Sequence, residues 1–218
     1  MATINVLKMC VTYGVKQFVF SSSAAVYGYP HTANIDEDTL CQPLSFYGLS
    51  KLQAEAYIRF FAKQYRLDCT ILRYSNVYGP GQSTEGEAGV VALFIHQLER
   101  GQALNIYGDG HQTRDFVYVK DVVMANLRAI EHNAVGTFNI GSGKETSVNE
   151  LIKKLADLKY KHVTLNYCPM RSGDIVRSSL NASRAHEQLQ WRPVYTIDEG
   201  LTRTIQHYEA AKPIVNFV

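Results

Sequence analysis

No run of about 18 apolar residues occurs in this 218-residue sequence, so nothing in it reads as a membrane-spanning helix. Cysteine is scarce: Cys10, Cys41, Cys69 and Cys168 are scattered without C-x-x-C spacing. That pattern argues against a disulfide framework or a zinc ribbon and fits reduced thiols in a cytoplasmic protein. The seven histidines are equally dispersed, none three or four residues from another, so no local metal-ligand pair exists and no metal is expected. Neither sign of charge dominates, with 22 basic against 20 acidic residues, and no basic run is long enough to attract nucleic acid or a membrane surface. The opening MATINVLKMCVTYG lacks a basic lead and a small-residue cleavage site; it reads as an amphipathic helix, not a secretory signal. Internal repeats and low-complexity linkers are also absent. The length suffices for a substantial core in one domain or two small lobes.

A glycine-rich phosphate turn is missing as well. A doubly wound nucleotide fold places such a turn in its first βα unit, where a helix N-terminus receives the pyrophosphate. No G-x-G-x-x-G or related triplet precedes Tyr47. IGSGKET is similar to a phosphate loop, but Glu145 stands where Ser or Thr is needed and Phe138 where the first glycine belongs. GPG (79–81) and GDG (108–110) read as turns.

What is present is a run ending in three serines, QFVFSSSAAVYG (17–28), followed 24 residues on by Tyr47-x-x-x-Lys51. Tyr and Lys four apart on a helix share a face and can meet one ligand. A phenol ordinarily titrates near pH ~10, and a cation beside it favours the phenolate, which suits a general base. A hydroxyl at a strand end, here Ser23, completes a proton-transfer relay of the kind that serves a nicotinamide ring. The spacing alone is weak, because Tyr208 and Lys212 repeat it in HYEAAKP. That copy ends against Pro213 with no serine-tipped strand before it, so it is expected to be a solvated helix end.

Strand and helix signals alternate through the first third: a helix near 3–13, a strand at 16–22, a helix at 45–66 and a strand at 69–79. This βαβ order predicts a parallel sheet with helices on both faces. A loop follows at 79–89 and a helix at 90–100. The remainder predicts strands at 103–107, 116–119, 137–140 and 162–167, with GDGHQTRD as a turn. Its helices are expected at 121–132, ending near Leu158 behind a Ser147/Glu150 capping box, at 181–190 and from Thr196. Residues 1–80 are expected to form a dinucleotide-binding part, and 81–218 mainly a substrate lobe, with some segments returning to the first part.

The segments FVFSSSAAVYG, PLSFYGLSKLQAE, ILRYSNVYGPGQ, IYGDGHQTRDFVYVKDVV, TFNIGSGKETSVNEL and RSGDIVRSSLNASRAHEQLQWRP occur in that order over nearly the whole chain. The series resembles the extended short-chain dehydrogenase/reductase family, NAD-dependent epimerases and dehydratases, most closely those of the UDP-glucose 4-epimerase type. The resemblance implies NAD as cofactor and a UDP-sugar as substrate, epimerised at C4. It implies Ser23, Tyr47 and Lys51 as the catalytic set, with Tyr47, Lys51 and Tyr74 at the cofactor. Asn76 matches the contact to the substrate diphosphate, and Arg114 and Arg171, with Asp174, match the arginine clamp and its ribose partner. Asn105 and Tyr107 would frame the uracil, and Val90 and Val91 would line the nucleotide pocket; Ala92 stands where the family often has proline. From sequence alone, the competing role for either arginine is an ion pair with Asp115 or Asp174. The family's frequent pairing through the helix bearing Tyr47 and Lys51 implies a homodimer.

Two departures narrow the reading. Dehydratases of the family carry an acid just after the serine or threonine, whereas here Ala24 and Ala25 occupy those places, which favours plain epimerisation. Ser178 lies where the family sets the width of the sugar pocket, and its small side chain implies room for a 2-acetamido group. The resemblance begins partway into the family pattern, which implies an N-terminally truncated, partial Rossmann-like doubly wound sheet. Its first βαβ units, about 90–100 residues in related folds, would be missing, and a smaller C-terminal α/β substrate lobe would follow. Three readings stay open: a C4-epimerase, another nucleotide-sugar epimerase or reductase of the family, and a non-catalytic nucleotide-sugar-binding remnant.

Overall fold

Parallel pairing of apolar, β-branched and aromatic runs organises the fold. The computed structural model describes residues 2–29, 34–83, 89–159, 162–170 and 175–210. In chain order the elements begin with α1 (Ala2–Thr12), β1 (Gln17–Ser23), β2 (Asn34–Ile35), α2 (Phe46–Tyr65), β3 (Asp68–Tyr74) and β4 (Asn76–Tyr78). Then come α3 (Val90–Glu99), β5 (Leu104–Tyr107), β6 (Thr113–Tyr118), α4 (Val119–Glu131), β7 (Gly136–Ile140) and β8 (Glu145–Ser147). The last are α5 (Val148–Leu158), β9 (Leu165–Cys168), β10 (Ser179–Leu180), α6 (Ser183–Leu189) and α7 (Ile197–Ala210).

The main sheet is parallel with the order β1-β3-β7, a Rossmann-like arrangement with helices on both faces. Alternation along β3 divides the core. Cys69 and Ile71 pack with Leu7 and Cys10 of α1 and Ile58 and Phe61 of α2. Leu72 points the other way, toward Val122, Ala125 and Ala129 of α4, Ala185 and Leu189 of α6, and Trp191. The C-terminal elements add a third cluster, in which Phe94 and Ile95 of α3, Leu151 and Leu155 of α5 and Leu201 and Ile205 of α7 close over β4, β5 and β6.

Several local outcomes differ from the sequence expectation. A single strand over 69–79 divides at Ser75, whose N–H turns to Ile140 O at 2.9 Å, and β4 joins β6 in a second sheet, β4-β6-β8. Thr113–Asp115 are part of β6 instead of the preceding turn, because β8 pairs with them antiparallel. The two- and three-residue strands β2, β8 and β10 carry too few residues to show a period. Tyr208 is not on a solvated helix end: its hydroxyl donates to Gln82 O at 2.7 Å and ties α7 to the loop after β4. Lys212 lies outside the described residues. Ser147 caps α5 by accepting from Glu150 N at 3.0 Å. All four cysteines are free thiols. No described helix is long and apolar enough to cross a membrane, and the described residues hold no metal-binding cluster.

Candidate active site

β1 delivers Ser23 to the C-terminal edge of the main sheet, the edge at which open parallel sheets bind ligands. Its Oγ accepts from Ala25 N at 3.1 Å and so caps the 3-10 turn Ala24–Val26. The first turn of α2, itself capped by Ser45, presses directly on that turn. Gly48 makes the approach possible, since a Cβ there would stand 2.4 Å from Ala25 O. Tyr47, the second residue of α2, is thereby held next to the serine-capped turn and remains 43% exposed. Lys51 lies one helical turn on. Its Nζ donates to Ser21 O at 2.9 Å and sits 5.7 Å from the centre of the Tyr47 ring. Partial burial of the Lys51 ammonium pushes its pKa below the ordinary lysine range.

Beneath this edge runs a buried polar network that the motif pattern does not announce. Glu55, one turn after Lys51 and fully buried, accepts from Ser22 Oγ at 2.6 Å and from Arg73 Nε and Nη2 at 3.0 and 2.7 Å. Arg73 Nη1 donates to the Tyr27 hydroxyl at 3.0 Å, which in turn donates to Asn139 Oδ1 at 2.6 Å. Burial raises the Glu55 carboxyl, but the Arg73 hydrogen bonds and charge, with the Ser22 hydroxyl, outweigh it and hold the group below the usual carboxylate range. Burial also pushes the Tyr27 phenol up to about 12, against the lowering influence of Arg73. The network binds α2 to β1 and β3 at the level of the serines. An arginine inside the apolar run CTILRY was the available signal.

Tyr74 ends β3 in register with Ser23. Its hydroxyl lies 3.1 Å from Ser21 Oγ and accepts from Asn126 Nδ2 of α4 at 2.8 Å. Two residues later Asn76 opens onto a cavity of about 400 Å³. The same cavity is lined by Val90, Asn105, Tyr107 and Arg114, so five of the sequence-derived positions come together there. Gln112 and Thr146 join them, and neither was singled out by the sequence. Val91 departs from the expectation: it is 1% exposed and packed in the α3–α5–α7 core, because a step of one residue turns a helix by about 100° away from Val90. Ser178 is half-buried, two residues before the end of β10, and is not among the cavity-lining residues. Arg171 and Asp174 lie outside the described residues.

Arg114 does not pair with Asp115. Its Nη1 donates to Thr113 O at 2.8 Å and Ile175 O at 2.5 Å, while Asp115 points to the other face of β6. The Asp115 carboxylate takes the amides of Ser142 and Gly143 at 2.7 and 3.0 Å. Amides of the phosphate-loop-like IGSGKET are therefore already taken by an internal carboxyl group.

Residues 1–141 match the model of the NAD dependent epimerase/dehydratase family. The chain belongs to that family. A UDP-glucose 4-epimerase of Mycolicibacterium smegmatis is 38% identical over 208 residues, covering 94% of this chain and 66% of its own length. The crystal structure of a Thermotoga maritima UDP-glucose 4-epimerase with UDP-glucose superposes with a TM-score of 0.90 at 42% identity, covering 95% of this chain and 68% of that one. A UDP-N-acetylglucosamine 4-epimerase of Methanobrevibacter ruminantium reaches 0.93 at 32% identity, with 97% and 68% covered. The chain spans about two thirds of the length of the curated relatives it matches.

For an epimerase/dehydratase-family chain, the residues present fit one end of NAD. The Lys51 ammonium, the Tyr47 phenol and Tyr74 are gathered at the ends of β1 and β3, where a nicotinamide ribose would need a donor and a ring contact. The pyrophosphate end finds no such match, since the IGSGKET amides are committed to Asp115 and the sequence has no G-x-G-x-x-G turn.

Proposed function

We propose that this chain carries the proton-transfer and substrate-anchoring residues of an NAD-dependent UDP-sugar C4-epimerase. The observation that carries the reading is the junction at Ser75: Tyr74, at the Ser23–Tyr47–Lys51 edge, and Asn76, at the Arg114 cavity, are separated by one residue. The proposed relay and the proposed diphosphate anchor thereby adjoin along the chain.

NAD, when bound, supplies the oxidation and re-reduction of C4. Tyr47 takes the proton of the C4 hydroxyl and gives it back, acting as base and then acid. Lys51, whose ammonium sits 5.7 Å from the centre of the Tyr47 ring, holds the nicotinamide ribose, and Ser23 shares the proton at the hydroxyl. Tyr74, fixed by Ser21 and Asn126, borders the ring. Asn76 and the planar Arg114 guanidinium hold the diphosphate, joined by Arg171 and Asp174 at the nucleotide. Val90, Asn105 and Tyr107 form the base-side wall of the cavity. Retention at the diphosphate leaves the sugar free to present either face of its 4-keto form. Ser178, although outside the lining of the Arg114 cavity, stands at the position that sets sugar-pocket width in the family pattern, and its small side chain supports including the N-acetyl sugar pair as substrate. Exposed Met9 of α1 and Tyr13 just after it, with Phe46 and Phe60 of α2, supply apolar surface for a homodimer.

A dTDP-D-glucose 4,6-dehydratase of Homo sapiens is also 34% identical over 202 residues, covering 89% of this chain and 57% of its own length. Ala24 and Ala25 favour epimerisation over elimination, since the turn after Ser23 offers no carboxyl to manage a second proton. The test is turnover of UDP-glucose with added NAD in deuterium oxide, followed by NMR. C4 inversion without deuterium at C3, C4 or C5 is expected, and Tyr47→Phe should abolish it while leaving UDP binding intact. Deuterium at C3 or C5, or a dehydrated product, would replace this reading. UDP binding without turnover in the wild-type chain would favour the non-catalytic remnant.

A further inference from the structure

The two faces of β6 do different work. Successive strand residues point to opposite sides, so Arg114 and Phe116 face the cavity while Thr113 and Asp115 face away from it. β8 pairs antiparallel with β6, placing Thr146 opposite Arg114 and Glu145 opposite Asp115. Thr146 accordingly joins Arg114 at the cavity wall, and Glu145 shares the rear face with Thr113 and Asp115.

That rear face grips one stretch of chain, residues 175–180. Thr113 N donates to Val176 O at 2.9 Å. Leu180 N donates to Asp115 Oδ2 at 3.1 Å. Glu145 takes the Arg177 guanidinium in two-point fashion, Nε to Oε2 at 2.9 Å and Nη2 to Oε1 at 2.7 Å. The Thr113 hydroxyl donates to the same Oε2 at 2.5 Å. At the near end of the stretch, Ile175 O receives Arg114 Nη1. Beside its bond to Thr113 O, the cavity-facing guanidinium is therefore held by a carbonyl whose own place is fixed on the opposite side of the strand. This also accounts for Glu145 at a position where a phosphate loop would carry a hydroxyl.

We propose that Glu145 is a positioning residue for substrate anchoring: by holding Arg177 and Thr113 it fixes the 175–180 stretch, and through the Ile175 carbonyl it orients Arg114. The inference rests on the reading of Arg114 as a diphosphate anchor. A guanidinium grips phosphate oxygens with a planar fork, so its value depends on the plane being set before the ligand arrives.

The experiment is titration calorimetry of the purified chain with UDP, beside NMR relaxation of the Arg114 Nε–H group. Glu145→Gln and Arg177→Gln should each raise the UDP Kd roughly three- to tenfold, with the double variant no worse than either alone. In an Arg114→Ala background Glu145→Gln should add nothing, an outcome that a general loss of fold would not give. The Arg114 Nε–H should be rigid in the wild-type chain and mobile in Glu145→Gln. An unchanged Kd with an equally rigid Arg114 would overturn the proposal, as would a Kd loss that persists without Arg114. A wild-type chain that binds no UDP would instead overturn the functional reading, and the relaxation data would then decide the positioning role alone.

Discussion

Replacing Glu55 by Gln tests the network that seats α2 against the sheet. The wild-type carboxylate is fully buried and accepts from Ser22, from Arg73 twice, and from Arg59 Nη2 at 2.6 Å. Glutamine keeps the shape and one acceptor oxygen, but turns an NH2 toward hydrogen-bond donors. Arg73, 3% exposed, keeps Tyr27 and Glu37 O yet loses its counter-charge. Removing one partner of a buried ion pair costs about 3–5 kcal/mol. That is a large share of the ~5–15 kcal/mol typical of a domain. With a urea dependence of about 2 kcal/mol per M, the midpoint should fall by roughly 2 M. The pH dependence provides a second reading. Because the folded pKa of Glu55 is depressed, its contribution is present above the unfolded carboxylate pKa and is lost as pH falls through the folded value. Glu55→Gln should therefore flatten the acid limb of the stability profile. Urea denaturation followed by circular dichroism reads both. A loss below about 1 kcal/mol with an unchanged slope would refute the assignment of a stabilising role to this pair.

Gly48→Ala should cost about 1–3 kcal/mol, since the new methyl meets Ala25 O at 2.4 Å; a thermal midpoint equal to wild type would contradict the close approach. Ser178→Tyr should remove turnover of the N-acetyl sugar pair before that of UDP-glucose, and equal loss on both would sink the pocket-width argument. The chain by itself should bind NAD weakly and associate in solution. Among the described residues β1 has a strand on one side only, and large apolar side chains of α1, α2 and α4 are exposed. Gel filtration with absorbance detection settles it: a soluble monomer carrying stoichiometric NAD would show the expectation to be wrong.

The long elements were legible because their patterns are long. Phe18 to Phe20 and Cys69 to Leu72 read as buried parallel strands; both are parallel, but only β3 is buried and β1 is half-buried at the sheet edge, while Ser45 capping α2 left Tyr47 and Lys51 on one identifiable face. Residues whose meaning depends on a distant partner were not. Asp115 beside Arg114 looks like half of an ion pair, and only the pairing of β6 with β8 shows that it serves the Ser142–Gly143 amides instead. Val91 read as a pocket residue beside Val90, but its side chain is buried in the core between α3, α5 and α7 and does not reach the cavity that Val90 lines. Glu55 and Glu145 are charged residues in unremarkable places until Arg73 and Arg177 arrive from 18 and 32 residues away. The division of strand 69–79 carried no glycine or proline at Ser75 to betray it.

That division has a mechanical consequence. Tyr74 belongs to one sheet and Asn76 to the other, with two peptide bonds between their Cα atoms, a reach of at most ~7 Å. Covalent geometry therefore limits how far the end of β3 and the start of β4 can be separated, whatever the rest of either sheet does. The one residue between them thus acts as a fixed gauge between the edge that carries Ser23, Tyr47 and Lys51 and the cavity that carries Arg114.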